Sequence, residues 1–257
     1  MKTRKIALIN QKGGSAKTTT SVNLAAALSE KKRKVLLIDL DPQASATSWM
    51  GCEPDSKALF ELFTENVNVL SIVVKTNIAG VDVIPSSQWL MGLEKRLAQE
   101  VGAETILKHK LSKIKPDTYD YILIDCPPTL GLLTLNALCA VDEVIVPVEA
   151  RIMAVHGLVQ LLETIDVIKE RLNPTLKISG IVSCRVDSRT NHAKEVVSEL
   201  KSNFKGLMFK TSIRENIRLA EAPSFAKPIN VYDKNCTGTL DYKALAQEVI
   251  NQEKMLR

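Results

Sequence analysis

The stretch Lys5-Ile6-Ala7-Leu8-Ile9-Asn10-Gln11-Lys12-Gly13-Gly14-Ser15-Ala16-Lys17-Thr18-Thr19-Thr20 decides the fold. Lys5–Asn10 reads as a buried strand, a glycine-containing loop follows, and Lys17–Glu30 has the pattern of a helix. Such a loop at a helix N-terminus turns backbone N–H groups inward, and the helix dipole adds to them, so the pair forms a cradle for phosphate. Gly13, Gly14, Ser15, Ala16 and Thr19 belong to that cradle. Lys17 is placed to reach β- and γ-phosphates, and the Thr18 hydroxyl to ligate Mg²⁺. The general pattern G-x-x-x-x-G-K-[ST] is met at Lys17-Thr18 and missed at both glycines, where Gln11 and Ala16 stand. Position after a first strand carries the reading against its bland alternative, an ordinary strand–helix turn.

Outward from this loop, short apolar runs alternate with helical patterns. Strands are expected at Lys34–Asp39, Val81–Pro85, Tyr121–Asp125, Glu143–Val148, Ile178–Cys184 and Leu207–Lys210. Helices are expected at Trp89–Val101, Ala103–Ile114, Leu130–Ala140, His156–Leu172, Ala193–Phe204 and Leu240–Glu253. The irregular stretch Gln43–Asn77 carries turn residues (Gly51, Pro54, Asp55, Ser56) around a short helix at Lys57–Phe63. Continuous Val/Ile/Leu strands between helices predict an α/β fold: a doubly wound, mostly parallel sheet with helices on both faces. No composition break resembles a linker, so residues 1–257 read as one domain with ligands at the carboxyl ends of the strands.

Composition narrows the class. Of 257 residues 45% are hydrophobic and 25% charged, which supports a folded core and argues against wholesale disorder. Cys52, Cys126, Cys139, Cys184 and Cys236 form no C-x-x-C pair and only three His are present, so a zinc site or disulfide framework has little support. A reducing cytoplasm fits best. The longest uncharged run, Cys126–Val141, contains two prolines and is too short to span a bilayer. The net charge of +5 is unevenly spread: Arg171–Lys227 holds 11 Lys/Arg against 5 Asp/Glu. That region carries the basic excess, a mild bias that permits nucleic-acid binding without implying it.

Two further strand readings end in carboxylates. Val35-Leu36-Leu37-Ile38-Asp39-Leu40-Asp41-Pro42 and Tyr121-Ile122-Leu123-Ile124-Asp125-Cys126-Pro127-Pro128 each place Asp at the edge that faces the phosphate loop. Asp125 is expected to hold Mg²⁺ through a water, and Asp41 to orient an attacking water. A single such Asp often does no more than cap a turn; two beside a phosphate loop point to chemistry.

Together, Lys12-Gly13-Gly14-x-x-Lys17-Thr18-Thr19, Asp39-x-Asp41-Pro42-Gln43 and Asp125-x-Pro127-Pro128 resemble the deviant Walker A ATPases of the ParA/Soj partition family. The resemblance continues through Gly180-Ile181-Val182, Asp187-x-Arg189-Thr190-Asn191, Ile213-x-x-Asn216-x-Arg218-Leu219-x-Glu221-Ala222-Pro223-Ser224 and Lys227-Pro228-Ile229. It implies an ATPase in which Mg²⁺ and ATP drive a sandwich homodimer. Lys12 is then the signature lysine that reaches the partner subunit's phosphates, Lys17 acts within its own subunit, and Asn216 flanks the adenine. Asp39 is expected as a supporting carboxylate near Lys12 or Mg²⁺. The resemblance also implies non-specific double-stranded DNA binding through Arg189 and Arg218, which fall inside the basic region, and nucleoid association. A ParB-like centromere-binding partner would stimulate hydrolysis.

This chain departs from the family at four places. Ala16 and Ala226 replace frequent glycines, Arg214-Glu215 a frequent Pro-Arg pair, and Arg151 a frequent acidic residue. If Ala16 requires a positive φ, its Cβ strains the loop and slows hydrolysis or dimer closure. Two alternatives follow: a nucleotide-gated DNA-binding scaffold with little turnover, and a MinD-like membrane-surface regulator. The latter needs a basic amphipathic C-terminal helix, whereas Lys243–Arg257 includes Glu248 and Glu253 and few large apolar residues.

Overall fold

The computed structural model describes residues 3–54, 56–151 and 154–253; Asp55 and the last residues of the C-terminal segment lie outside these. Its strands are β1 (Arg4–Leu8), β2 (Val35–Asp39), β3 (Val74–Lys75), β4 (Val81–Ile84), β5 (Tyr121–Asp125), β6 (Glu143–Glu149) and β7 (Lys177–Cys184). They form one sheet in the order β3-β4-β2-β5-β1-β6-β7. Every pairing is parallel except β3 with β4. This is the expected doubly wound α/β architecture, with an antiparallel edge that the sequence reading did not contain.

The α-helices, in chain order, are α1 (Lys17–Glu30), α2 (Ser45–Trp49), α3 (Ala58–Thr64), α4 (Leu93–Leu97), α5 (Ile106–Leu111) and α6 (Leu132–Ala140). They continue as α7 (Ala154–Arg171), α8 (Asn191–Asn203), α9 (Ile217–Glu221), α10 (Ile229–Tyr232) and α11 (Thr237–Gln252). The helix expected over Trp89–Val101 is instead a 3₁₀ turn at Gln88–Gly92 followed by α4. No strand forms at Leu207–Lys210; Met208 only bridges Ile181.

Because side chains alternate along a strand, each strand feeds two cores. Ile6, Leu8, Val35, Leu37, Tyr121 and Leu123 pack on the face covered by α1 and α11. Ala7, Leu36, Ile38, Ile122 and Ile124 pack on the other, against α6, α7 and α8. Burial on both faces removes the period-2 polar pattern and leaves continuous apolar strands.

Parallel register then sets the functional edge. Leu8 on β1 and Asp39 on β2 both pair with Asp125 on β5, so three adjacent strands end level. The two carboxylates consequently stand side by side where the glycine loop leaves β1. At the opposite edge, buried Arg4 pairs with Glu143 through Nε (2.9 Å) and a terminal nitrogen (2.6 Å) and also donates to the Val249 carbonyl. This clamp ties the end of α11 to the base of the sheet.

Candidate functional site

The loop after β1 wraps the N-terminus of α1 and opens into a cavity of about 1020 Å³. Gly13 to Thr19, Asp41, Asn216, Arg189 and Arg218 all line it, whereas Asp125 is fully buried against Ser21 and does not. Lys12 does not line the cavity. It is exposed on the loop's outer edge, its backbone N–H held by Asn10 Oδ1 at 2.9 Å. A cation so placed can meet charge brought by another molecule.

The loop conformation depends on two left-handed residues, Gly14 (φ 75°) and Ala16 (φ 68°). A Cβ built on Gly13 or Gly14 would meet nothing within 4 Å, so the loop borders open space at both positions. Ala16 confirms the condition set from sequence: the position does require positive φ, and an L-residue there is strained. Its methyl packs partly against the α1–α11 core, which offsets some of that cost. Replacing Ala16 with Gly should therefore raise unfolding stability by about 0.5–1 kcal/mol, read as a shift in the urea midpoint.

Lys17 is buried, and Nζ lies 3.4 Å from the Lys12 carbonyl. Burial lowers its pKa, while Asp125, Cys126 and Asp41 work against that shift. An ammonium poorly compensated in this way gains from an incoming phosphate.

Asp125 is fully buried. Its Oδ1 accepts a 2.8 Å hydrogen bond from Ser21, and its Oδ2 has no hydrogen-bond partner among the described residues. Burial holds its pKa above the usual carboxylate range, while the nearby Thr18 and Ser21 hydroxyls and the Lys17 charge act in the opposite sense. An orphaned carboxylate oxygen beside a threonine hydroxyl fits a hydrated divalent cation, and the open cradle fits a phosphate chain.

Asp39 ends β2 beside Asp125; its Oδ2 accepts from the Thr47 backbone N–H (2.8 Å) and hydroxyl (2.7 Å) and its Oδ1 from the Asp41 N–H (3.1 Å). Burial and the neighbouring Asp125 push its pKa up. Ser86 completes the brace by donating to the Asp41 carbonyl at 2.6 Å. The Asp41 backbone is thus fixed, while its side chain, which accepts from Gln43 N–H at 3.0 Å, lines the cavity. Ser21, Thr47 and Ser86 were missed from sequence because isolated serines and threonines carry no pattern.

On the far wall, Asn216 caps α9. Its Oδ1 accepts from Arg218 N–H (2.8 Å) and its Nδ2 donates to the Thr237 hydroxyl (2.6 Å). The side chain shapes the wall with both polar ends engaged. Arg189 and Arg218 are exposed on the rim yet ion-paired: Arg189 with Asp187 (2.8 and 2.9 Å), Arg218 with Glu221 (3.1 Å). The other departures also find partners. Arg214 is paired with Asp241, and Arg151 shares Glu149 with Arg185 at 2.9 and 3.2 Å. Ala226 is left-handed (φ 48°), in the turn that presents the Lys227 carbonyl to the Trp49 indole.

The family model described as an AAA domain matches residues 3–178. Sporulation initiation inhibitor protein Soj of Bacillus subtilis is 44% identical over 246 residues, covering 95% of this chain and 97% of Soj. The chain belongs to the ParA/Soj family of P-loop ATPases. Chromosome partitioning protein ParA of Myxococcus xanthus is 41% identical over 97% of this chain and 89% of its own length. Among solved structures, one from Mycobacterium smegmatis described as cobyrinic acid a,c-diamide synthase with bound ATP analog and magnesium superposes with TM-score 0.86. It is 34% identical, covering 99% of this chain and 97% of that one. The ParA/Soj likeness extends past residue 178, so it includes the wall that carries Arg189, Asn216 and Arg218.

Proposed function

We propose that this ParA/Soj chain binds ATP with Mg²⁺, hydrolyses it slowly, and uses the cycle to switch DNA binding in partition. The observation that carries the reading is the convergence of Lys17, Thr18, Asp41 and the orphaned Asp125 oxygen on one edge, with Lys12 projecting outside it. Bound Mg²⁺ would neutralise charge on the β- and γ-phosphates. Thr18 and Asp125 are the residues to hold it. The loop N–H groups and Lys17 orient the phosphate chain, and Asp41 positions the water for in-line attack.

Two copies associate through ATP, each directing Lys12 to its neighbour's nucleotide, and hydrolysis dissolves the pair. Association doubles the basic surface, and Arg189 and Arg218 then contact DNA phosphates without reading sequence. A ParB-like centromere-binding protein stimulates hydrolysis, and the chain resides on the nucleoid in the cytoplasm. The membrane-regulator alternative is disfavoured because α11 buries Tyr242, Leu245, Ala246 and Val249 against the core. Among the described residues no helix is long and apolar enough to cross a membrane.

Duplex-DNA binding at several salt concentrations, with and without ATP and Mg²⁺, tests this. Binding should require ATP, and Arg189→Ala or Arg218→Ala should each weaken it about 3–10-fold and lower the slope of log affinity against log salt by about 1. ATP-independent binding, or variants that bind like the parent, would count against the switch.

A further inference from the structure

The base-side wall of the cavity is not held by the sheet alone. Arg214 bridges Val186, yet that bridge uses the Ile213 carbonyl and the Glu215 N–H and leaves the Arg214 N–H over. Asp241 takes it at 2.9 Å and grips the Arg214 guanidinium as well, through Nε (3.0 and 3.1 Å) and a terminal nitrogen (2.6 Å). One turn earlier on α11, the Thr237 hydroxyl holds Asn216. Two turns later, the Glu248 carboxylate accepts from the backbone N–H groups of Lys210 (2.9 Å) and Thr211 (2.7 Å).

Positions 237, 241 and 248 share one face of a helix, so α11 carries a polar stripe that laces residues 210–216 to itself. The same helix reaches the phosphate side, where the Tyr242 hydroxyl lies 3.3 Å from Thr20 of α1. One rigid element therefore touches both the helix behind the phosphate loop and the wall opposite it.

We propose that Asp241, with Thr237, is a positioning residue that sets the base-side wall at the correct distance from the phosphate loop, and so governs affinity for the nucleoside part of ATP. This rests on the nucleotide-binding reading above. Asp241 is only 7% exposed and acts on the wall through Arg214, while Thr237 acts on it through Asn216. Losing it frees the wall while leaving the glycine loop, Lys17 and Asp125 in place.

Calorimetry with two probes, ATP and inorganic tripolyphosphate, each with Mg²⁺, separates the two ends of the site. Asp241→Ala should weaken ATP about tenfold and leave tripolyphosphate within twofold of the parent. Thr237→Val, at an exposed position, should weaken ATP about threefold with the same indifference to tripolyphosphate, and it decides the matter should Asp241→Ala fail to fold. Equal loss for both probes would assign the stripe a merely structural role, and unchanged ATP affinity would remove any role; either result overturns the proposal. A parent protein that binds neither probe would instead contradict the nucleotide reading itself.

Discussion

Replacing Lys17 with alanine is expected to weaken ATP·Mg²⁺ binding on the order of 100-fold and reduce hydrolysis to background. The ammonium sits inside the phosphate cradle, buried, with a long 3.4 Å contact to the Lys12 carbonyl. Burial already lowers its pKa, so the charge is under-compensated until phosphate arrives. The same reasoning gives a second readout with opposite sign. Without nucleotide, Lys17→Ala should be as stable as the parent or slightly more so, because an unfavourable buried charge has been removed. Equilibrium binding with a fluorescent ATP analogue and urea unfolding measure the two effects. Binding within threefold of the parent would show that Lys17 does not face the phosphates.

Asp41→Ala should separate binding from turnover. Asp39, Thr47 and Ser86 brace the Asp41 backbone, so loss of its side chain leaves the loop in place. The carboxylate lines the cavity across from the glycine loop, where an attacking water would stand. Turnover is expected to fall at least about 100-fold, the usual worth of a positioned base, while ATP affinity stays within about threefold. Single-turnover hydrolysis beside direct binding measures the split. A variant that hydrolyses like the parent would move the water-orienting role elsewhere, and an inactive parent would favour the scaffold alternative.

What the sequence disclosed follows from length and pattern. Lys17–Glu30 and Tyr121–Asp125 are helix and strand with the expected bounds, because each is long enough to show its period and ends at a chemical signal. β3 has two residues, and α9 and α10 five and four, so none repeats a pattern long enough to be read. Trp89–Val101 was over-read: Met91 and Val101 face solvent, and the apolar spacing belongs to a 3₁₀ turn followed by a short helix.

At the site, residue types were legible and partners were not. Motif spacing brought Lys17, Thr18, Asp41 and Asp125 together, but the engagement of Asp39 by Thr47 is tertiary. Charge counting found the basic stretch holding Arg189, Arg214 and Arg218. It could not show that each faces a carboxylate, one of them 27 residues away on α11. The strain at Ala16 could be stated only conditionally until its φ was known.

Sedimentation velocity of the parent and Lys12→Ala, each with and without saturating ATP and Mg²⁺, bears most directly on the nucleotide-joined pair. The account predicts that nucleotide doubles the mass of the parent and leaves Lys12→Ala a monomer, although both bind ATP. A parent that stays monomeric at saturating ATP, or a Lys12→Ala variant that pairs as readily, would contradict it.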